Sequence, residues 1–241
     1  MVYIQSDSER ILPHHFDAAC ALYGAKDSGQ SFRLTSYEEV SSGKFDNLIK
    51  QNLFVGSVEF MTEVFSRIGK VVPSLPTSQA SIQSTIKEFR EREDSFFIKP
   101  LQTKLFSGMV VDSMNISILD SYPEETKILV SLPFESKILS EWRCYVRYNK
   151  IIDARNYSGD FKIIPDFKWA EKFLDPNDTS LHEFNKLKFY PTSFTMDLGI
   201  LENGHNVIIE YNDMWAIGNY GIDNSDYYKL LRERYFEIIR S

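Results

Sequence analysis

The chain has 241 residues, a formal net charge of −7, 43% apolar and 14% aromatic residues, and two cysteines. That is enough for one large domain or two small lobes with a real core, and the acidic balance argues against a nucleic-acid-binding surface while leaving room for a local basic site. Cys20 and Cys144 have neither CxxC nor metal-ligand spacing, residues 1–5 lead into polar sequence without the apolar core of a secretory signal, and no apolar run approaches membrane-spanning length. A soluble cytoplasmic protein, with no membrane contact and no disulfide framework, is therefore expected.

In chain order, residues 2–5 read as a short strand and the Gly/Ser/Asp-rich residues 24–36 as a loop. Residues 53–56 read as a strand entering a helix whose apolar stripe is Phe60, Val64, Phe65 and Ile68, with Gly69 as its stop. The prolines of 71–78 suggest a connector, and Ile82, Ile86 and Phe89 give residues 81–93 a helical pattern. From residue 95 strands take over: 95–99, 109–112, 127–131, then a hairpin of 141–148 with 151–158. A loop and helical region follows, then a second hairpin, and an amphipathic helix over 226–240. Helices at the edges and strands in the middle indicate an α+β fold with antiparallel sheet, a small α/β lobe over 1–94 and a second region over 95–241.

The segment 193–213 carries the clearest chemical signal. Asn203-Gly204 predicts a two-residue turn, and counting outward from it sets Asp197 opposite Glu210 and Thr195 opposite Asn212. Asp197, Glu210 and Asn212 then share one face, where facing carboxylates repel unless a cation lies between them. Oxygen-only donors suit magnesium, which also takes phosphate oxygens from a nucleotide. A solvated polar face on a half-buried hairpin would show the same pattern.

Three further segments supply charge. Lys99 ends the apolar run Phe96-Phe97-Ile98 and shares a face with Phe97. The loop after it carries Lys104 and ends Phe106-Ser107-Gly108, a plausible clamp for phosphate, though a lysine at a strand end is as often structural. In 141–147, Glu141, Arg143, Tyr145 and Arg147 alternate with an apolar face. A three-residue turn at 148–150 would set Arg143 opposite Arg155, a strong site for phosphate or carboxylate; a two-residue turn would not. An exposed charged ladder is the other reading. Residues 24–31 have the spacing of a phosphate-binding P-loop, but Gln30 stands where the lysine belongs. His14 and His15 have no nearby cysteine, and no GxSxG motif is present.

Taken in order, these segments resemble the ATP-grasp superfamily over about residues 95–223. FFIKP resembles its first nucleotide-binding lysine strand, and 102–108 its phosphate-covering loop. Residues 128–135 resemble the segment entering the adenine hinge, and MDLG with IIEYND resembles its metal-binding pattern. EWRCYV with ARNYSG looks most like the bacterial and phage clade named for two arginines and one lysine, which map onto Arg143, Arg155 and Lys99.

The resemblance implies two lobes gripping ATP between antiparallel sheets, and a carboxylate activated by γ-phosphoryl transfer and then attacked by an amine. On that reading Lys99 and Lys104 neutralise phosphates, and Ser131, Leu132, Pro133, Phe134 and Glu135 meet the adenine. Asp197, Glu210 and Asn212 hold Mg2+, while Arg143 and Arg155 orient the carboxylate and stabilise the acyl phosphate. The carboxylate and amine could belong to a small molecule, a peptide or a protein. A small-molecule kinase, or a non-catalytic nucleotide-binding module, would use the same pocket.

Overall fold

The computed structural model describes residues 1–6, 16–71, 75, 81–102, 105–175, 177 and 191–241. The 72–74 and 76–78 parts of the predicted connector lie outside these residues, as do His14, His15 and Lys104.

The first layer is built from β1 (Val2–Gln5), α1 (Phe16–Asp27), β2 (Phe32–Thr35), α2 (Tyr37–Ser41), α3 (Asp46–Ile49), β3 (Leu53–Val55) and α4 (Val58–Ser66). The three strands form a parallel sheet in the order β2-β1-β3. The Val, Ile, Leu and Phe side chains of β1 and β3 are buried, as strands covered by helices require, while Phe32 on the edge strand β2 is exposed. Ser57 caps α4 by accepting the Phe60 N–H at 3.2 Å, and Gly69 (φ +71°) ends the turns that follow it. The predicted loop over 24–36 shrinks to four residues between α1 and β2. Alanine and leucine carry α1 through Gly24, whose missing side chain lets α1 approach the C-terminal helix: a Cβ there would lie 2.0 Å from the Asn224 carbonyl oxygen. The P-loop-like spacing is therefore a helix-crossing feature.

The second layer contains β4 (Ile82–Thr85), α5 (Ile86–Phe89), β5 (Phe96–Pro100), β6 (Met109–Val111) and β7 (Lys127–Ser131), an antiparallel sheet in the order β4-β7-β5-β6. Residues 82–85 form a strand where the apolar spacing predicts a helix. A capping box begins the short helix only afterwards: Thr85 Oγ1 accepts the Glu88 N–H at 3.2 Å, and the Glu88 carboxylate accepts the Thr85 N–H at 3.0 Å.

The third layer holds β8 (Ile138–Arg147), β9 (Lys150–Gly159), α6 (Phe167–Glu171), β10 (Ser193–Leu201), β11 (Asn206–Asp213) and α7 (Asn224–Arg240). Its antiparallel order is β11-β10-β8-β9. One face packs Cys144, Val146, Phe194, Met196, Leu198 and Ile208 against α6, and the other carries the polar row. The 95–131, 141–158 and 226–240 elements fall where the pattern predicts them.

α7 joins the first and third layers. Tyr227, Leu230, Leu231, Tyr235 and Ile238 complete the core of β1–β3, and Tyr235 Oη donates to the Ile49 carbonyl at 2.9 Å. Arg234 donates Nε and Nη2 to Asp213 at 2.7 and 2.6 Å, and Nη1 to Glu237 at 2.9 Å. Among the described residues no helix is long and apolar enough to cross a membrane.

Arg234 is 7% exposed and Asp213 5%, so losing one partner strands a buried charge. Arg234→Leu is expected to lower unfolding stability by about 3 kcal/mol in urea titrations, and adding Asp213→Asn should recover part of that loss.

Candidate active site

Two irregularities set the acidic hairpin's register. The turn has three residues, not two: Gly204 (φ +84°) donates its N–H to the Leu201 carbonyl at 2.8 Å, and the Leu201 N–H reaches the His205 carbonyl at 2.9 Å. This alone would set Asp197 opposite Ile209. A β-bulge between Asp197 and Leu198 in the pairing absorbs one extra residue on β11, so Asp197 pairs with Glu210 and Thr195 with Asn212. The same bulge explains why consecutive residues Ile209 and Glu210 both line the cavity described below.

The β8–β9 hairpin is built by a similar compensation. Its turn is the two-residue Tyr148-Asn149, both in the left-handed region at φ +48° and +59°. A bulge next to Tyr145 skips one residue of β9 and brings Arg143 opposite Arg155. The register expected of a three-residue turn thus arises from a two-residue turn plus a bulge.

β8 also pairs with β10, placing Arg143 beside Asp197. Arg143 donates Nε to Asp197 Oδ1 at 2.9 Å and Nη2 to Oδ2 at 2.7 Å, with the two side chains 8% and 1% exposed. Burial raises the Asp197 carboxyl above the ordinary carboxylate range, and the Arg143 fork opposes it. For Arg143, the same fork outweighs burial and keeps the guanidinium protonated. Asn212 Nδ2 donates to Glu210 Oε1 at 3.1 Å and lies 3.4 Å from Asp197 Oδ2, bridging the two carboxylates.

Between this sheet and the β4–β7 sheet lies a cavity of about 590 Å³. Phe97, Met109, Leu129, Ile138 and Ile209 are among its apolar walls, and its polar groups include Lys99, Ser131, Lys137, Glu141 and Glu210. Gly108 abuts Phe97 so closely that a Cβ would come within 2.4 Å of the ring. Lys99 Nζ crosses the gap to Glu210 Oε2 at 2.8 Å, linking residues 111 apart in sequence. Burial would raise the Glu210 carboxyl, but the Lys99 charge and hydrogen bonds outweigh it and hold the group below the ordinary glutamate range.

The structure brings Lys99, Ser131, Pro133, Phe134 and Glu210 to one cavity. Leu132 of the same segment is 68% exposed. Glu135 is directed to the β10–β11 turn, where Asn203 Nδ2 and His205 Nδ1 each lie 2.7 Å from Oε1. Arg155 bonds Asp153 at 2.6 Å, and its Nε is buried without a hydrogen-bond partner.

Glu141 and Tyr157 also line the cavity, with the Tyr157 hydroxyl donating to Glu141 Oε2 at 2.8 Å. Glu141 is on the polar side of the 141–147 alternation, but alternation carries no information on which sheet it faces. Tyr157 sits at a second bulge of β9, next to Glu141, which no periodicity reveals.

Among the described residues, no three His, Cys, Asp or Glu side chains gather into a ready-made metal site. The oxygen donors of Asp197, Glu210 and Asn212 nevertheless suit magnesium. The Asn212 amide nitrogen already occupies the position between the two carboxylates, marking where positive charge is wanted.

A family model matches residues 77–230; it describes an ATP-grasp domain, family 2 of the clade named for two arginines and one lysine. No curated protein matches the sequence. Among solved structures, the fold is similar to D-alanine–D-alanine ligase from Bacillus anthracis complexed with ATP, at TM-score 0.54 and 10% identity over 99% of this chain and 97% of that one. It is also similar to the ATP-grasp ligase PsnB complexed with precursor peptide PsnA2 and AMPPNP, at TM-score 0.51 and 9% identity over 97% and 96% of the two chains. A third is D-cycloserine synthetase DcsG, at TM-score 0.51 and 11% identity over 98% and 100%. These likenesses establish a shared fold: two antiparallel sheets that face each other across a cavity. With the family match spanning well over half of its length, the chain belongs to the ATP-grasp domain family, in the second family of the two-arginine, one-lysine clade.

Proposed function

We propose that this protein is an ATP- and Mg2+-dependent ligase that joins a carboxylate to an amine through an acyl phosphate. The observation that carries this reading is the facing of Lys99 and Glu210 across an apolar-walled cavity between two antiparallel sheets. A cation from one sheet and an acid from the other match what a polyphosphate chelating a metal ion needs. Membership of the ATP-grasp family supports this reading.

On this reading the base lies against the apolar walls and the segment Ser131, Leu132, Pro133, Phe134 and Glu135. Lys99, with Lys104 of the following loop, neutralises phosphate oxygens. Asp197, Glu210 and Asn212 would hold the magnesium ion, which when bound offsets the negative charge of the phosphates. Arg143 and Arg155 orient the carboxylate and stabilise the charge that develops as it accepts the phosphoryl group. Asp197 has a further part: its fork on Arg143 fixes the guanidinium plane. The first layer helps to shape substrate choice, and the second and third layers, which take in β4 and α5 of the N-terminal region as well as residues from 95 on, hold the nucleotide. Similar structures include a D-alanine–D-alanine ligase and a ligase bound to a precursor peptide, so amino acids and peptides are the first substrates to test.

The direct test is calorimetric titration with AMPPNP, with and without magnesium. Saturable, magnesium-dependent binding is expected, and a folded sample that binds under neither condition overturns the reading. Lys99→Met and Glu210→Gln should each abolish ADP release, at least a hundredfold, with circular dichroism unchanged. Arg143→Lys, which keeps a cation beside Asp197, should leave AMPPNP affinity within about threefold and raise the KM for the carboxylate substrate.

The Lys99–Glu210 pair also predicts a pH dependence. A depressed Glu210 pKa contributes stability that is present above the ordinary glutamate range and lost as pH falls through the lowered value. In Lys99→Met, burial is opposed only by the Asn212 hydrogen bond and the Arg143 charge and raises that pKa relative to the parent, so the variant is penalised at neutral pH and relieved in acid. The stability gap between parent and variant, measured in urea, should therefore narrow from pH 7 to about pH 4.

A further inference from the structure

Tyr220 stands in a conformation its side chain disfavours. Its φ is +47°, and Gly221 follows at +93°, while the Ile222 N–H reaches the Asn219 carbonyl at 3.2 Å. This is a type I′ turn, in which Asn, Asp or Gly is the favoured residue at Tyr220's position. The surroundings over-determine it. Asn219 is buried, its N–H donates to Asp17 Oδ1 at 2.7 Å, and its Oδ1 accepts the Gly221 N–H at 2.7 Å. The Tyr145 hydroxyl donates to the carbonyls of Gly218, at 2.8 Å, and Asn219. At Gly218 a Cβ would come within 2.9 Å of the Tyr220 ring. A bulky aromatic held in the left-handed region by so many contacts calls for a functional account.

The ring covers Arg143. Its centroid lies 4.7 Å from the guanidinium carbon, and the Tyr157 centroid lies 5.6 Å from the same atom. The two rings are 5.4 Å apart at 44°. Asp197 takes Arg143 Nε and Nη2, which leaves Nη1 for a ligand. Tyr157 lines the cavity between the sheets and Tyr220 does not, so Tyr220 lies beyond the cavity on the Arg143 side. Tyr220 is 49% exposed although the arginine beneath it is 8% exposed. The exposed ring thus shields one side of a guanidinium that is almost wholly withdrawn from water.

We propose that Tyr220 is a positioning residue that brackets Arg143 with Tyr157 and walls the subsite where the carboxylate and its acyl phosphate lie. This rests on the function proposed above. The strain at Tyr220 is maintained because an asparagine or glycine there would relax the turn and uncover the guanidinium.

The test uses acetylphosphonate, which carries the carbonyl and phosphoryl groups of acetyl phosphate without the labile bridging oxygen, titrated into the full chain saturated with ADP and magnesium. The parent should bind it. Tyr220→Asn, which suits the turn, should melt at or above the parent temperature, bind ADP within twofold, and bind acetylphosphonate at least tenfold more weakly. Tyr220→Phe, which keeps the ring, should stay within threefold of the parent for both ligands. Equal acetylphosphonate affinity in Tyr220→Asn and parent would overturn the proposal, as would an equal loss of ADP affinity or a lowered melting temperature. A parent that binds ADP but not acetylphosphonate also overturns it while leaving the nucleotide site standing. A parent that binds neither removes the ligase reading itself.

Discussion

The bidentate contact between Arg143 and Asp197 is the constraint around which the third layer is organised. Two neighbouring strands each place a charged side chain at the centre of a sheet, and both charges are almost wholly withdrawn from water. Such a pair is costly to bury and more costly to break, so it gives less net stability than specificity of arrangement. A slip of one residue between β8 and β10 would move one partner to the opposite face and leave the other unpaired. The pair thereby pins the register of the central strands, and through them the positions of Glu210, Asn212, Arg155 and Tyr157. The chemistry proposed for the cleft depends on this alignment.

Glu210 and Asp197 face each other, yet their environments differ. Glu210 opens to the cavity and is held ionised by Lys99 from the opposite sheet. Asp197 is closed off and held by an arginine of its own sheet. Glu210 is thus open to an incoming ligand, while Asp197 would meet a magnesium ion as a carboxylate already oriented by Arg143. The difference follows from burial and neighbours rather than residue type.

Much of this was legible in the sequence. The alternation of Glu141, Arg143, Tyr145 and Arg147, the lysine closing FFIKP, and the spacing of Asp197, Glu210 and Asn212 locate the strands and the polar row, and together they carry the resemblance to ATP-grasp proteins. The turn and bulge geometry was not legible. The Asp197–Glu210 pairing follows from an assumed two-residue turn only because a three-residue turn and a bulge at Ile209 cancel. Bulges leave no periodic signature, since they are set by how a strand twists against its neighbours. Residues 82–85 were missed as a strand because their edge pairing with β7 outweighs local helical spacing. Tyr220 was missed because its φ, and not its residue type, sets it apart.

The placement of α7 has a consequence for how the chain reaches its native state. The core of β1–β3 combines residues of the first 65 positions with residues from far along the chain, among them Tyr145, Met214, Tyr227, Leu230 and Tyr235. During synthesis, the N-terminal sheet emerges long before the helix that covers it. Its apolar face must wait, exposed, while roughly 150 further residues are made, and long-range closure of this kind slows folding and invites aggregation. The first layer therefore closes only once α7 has been made.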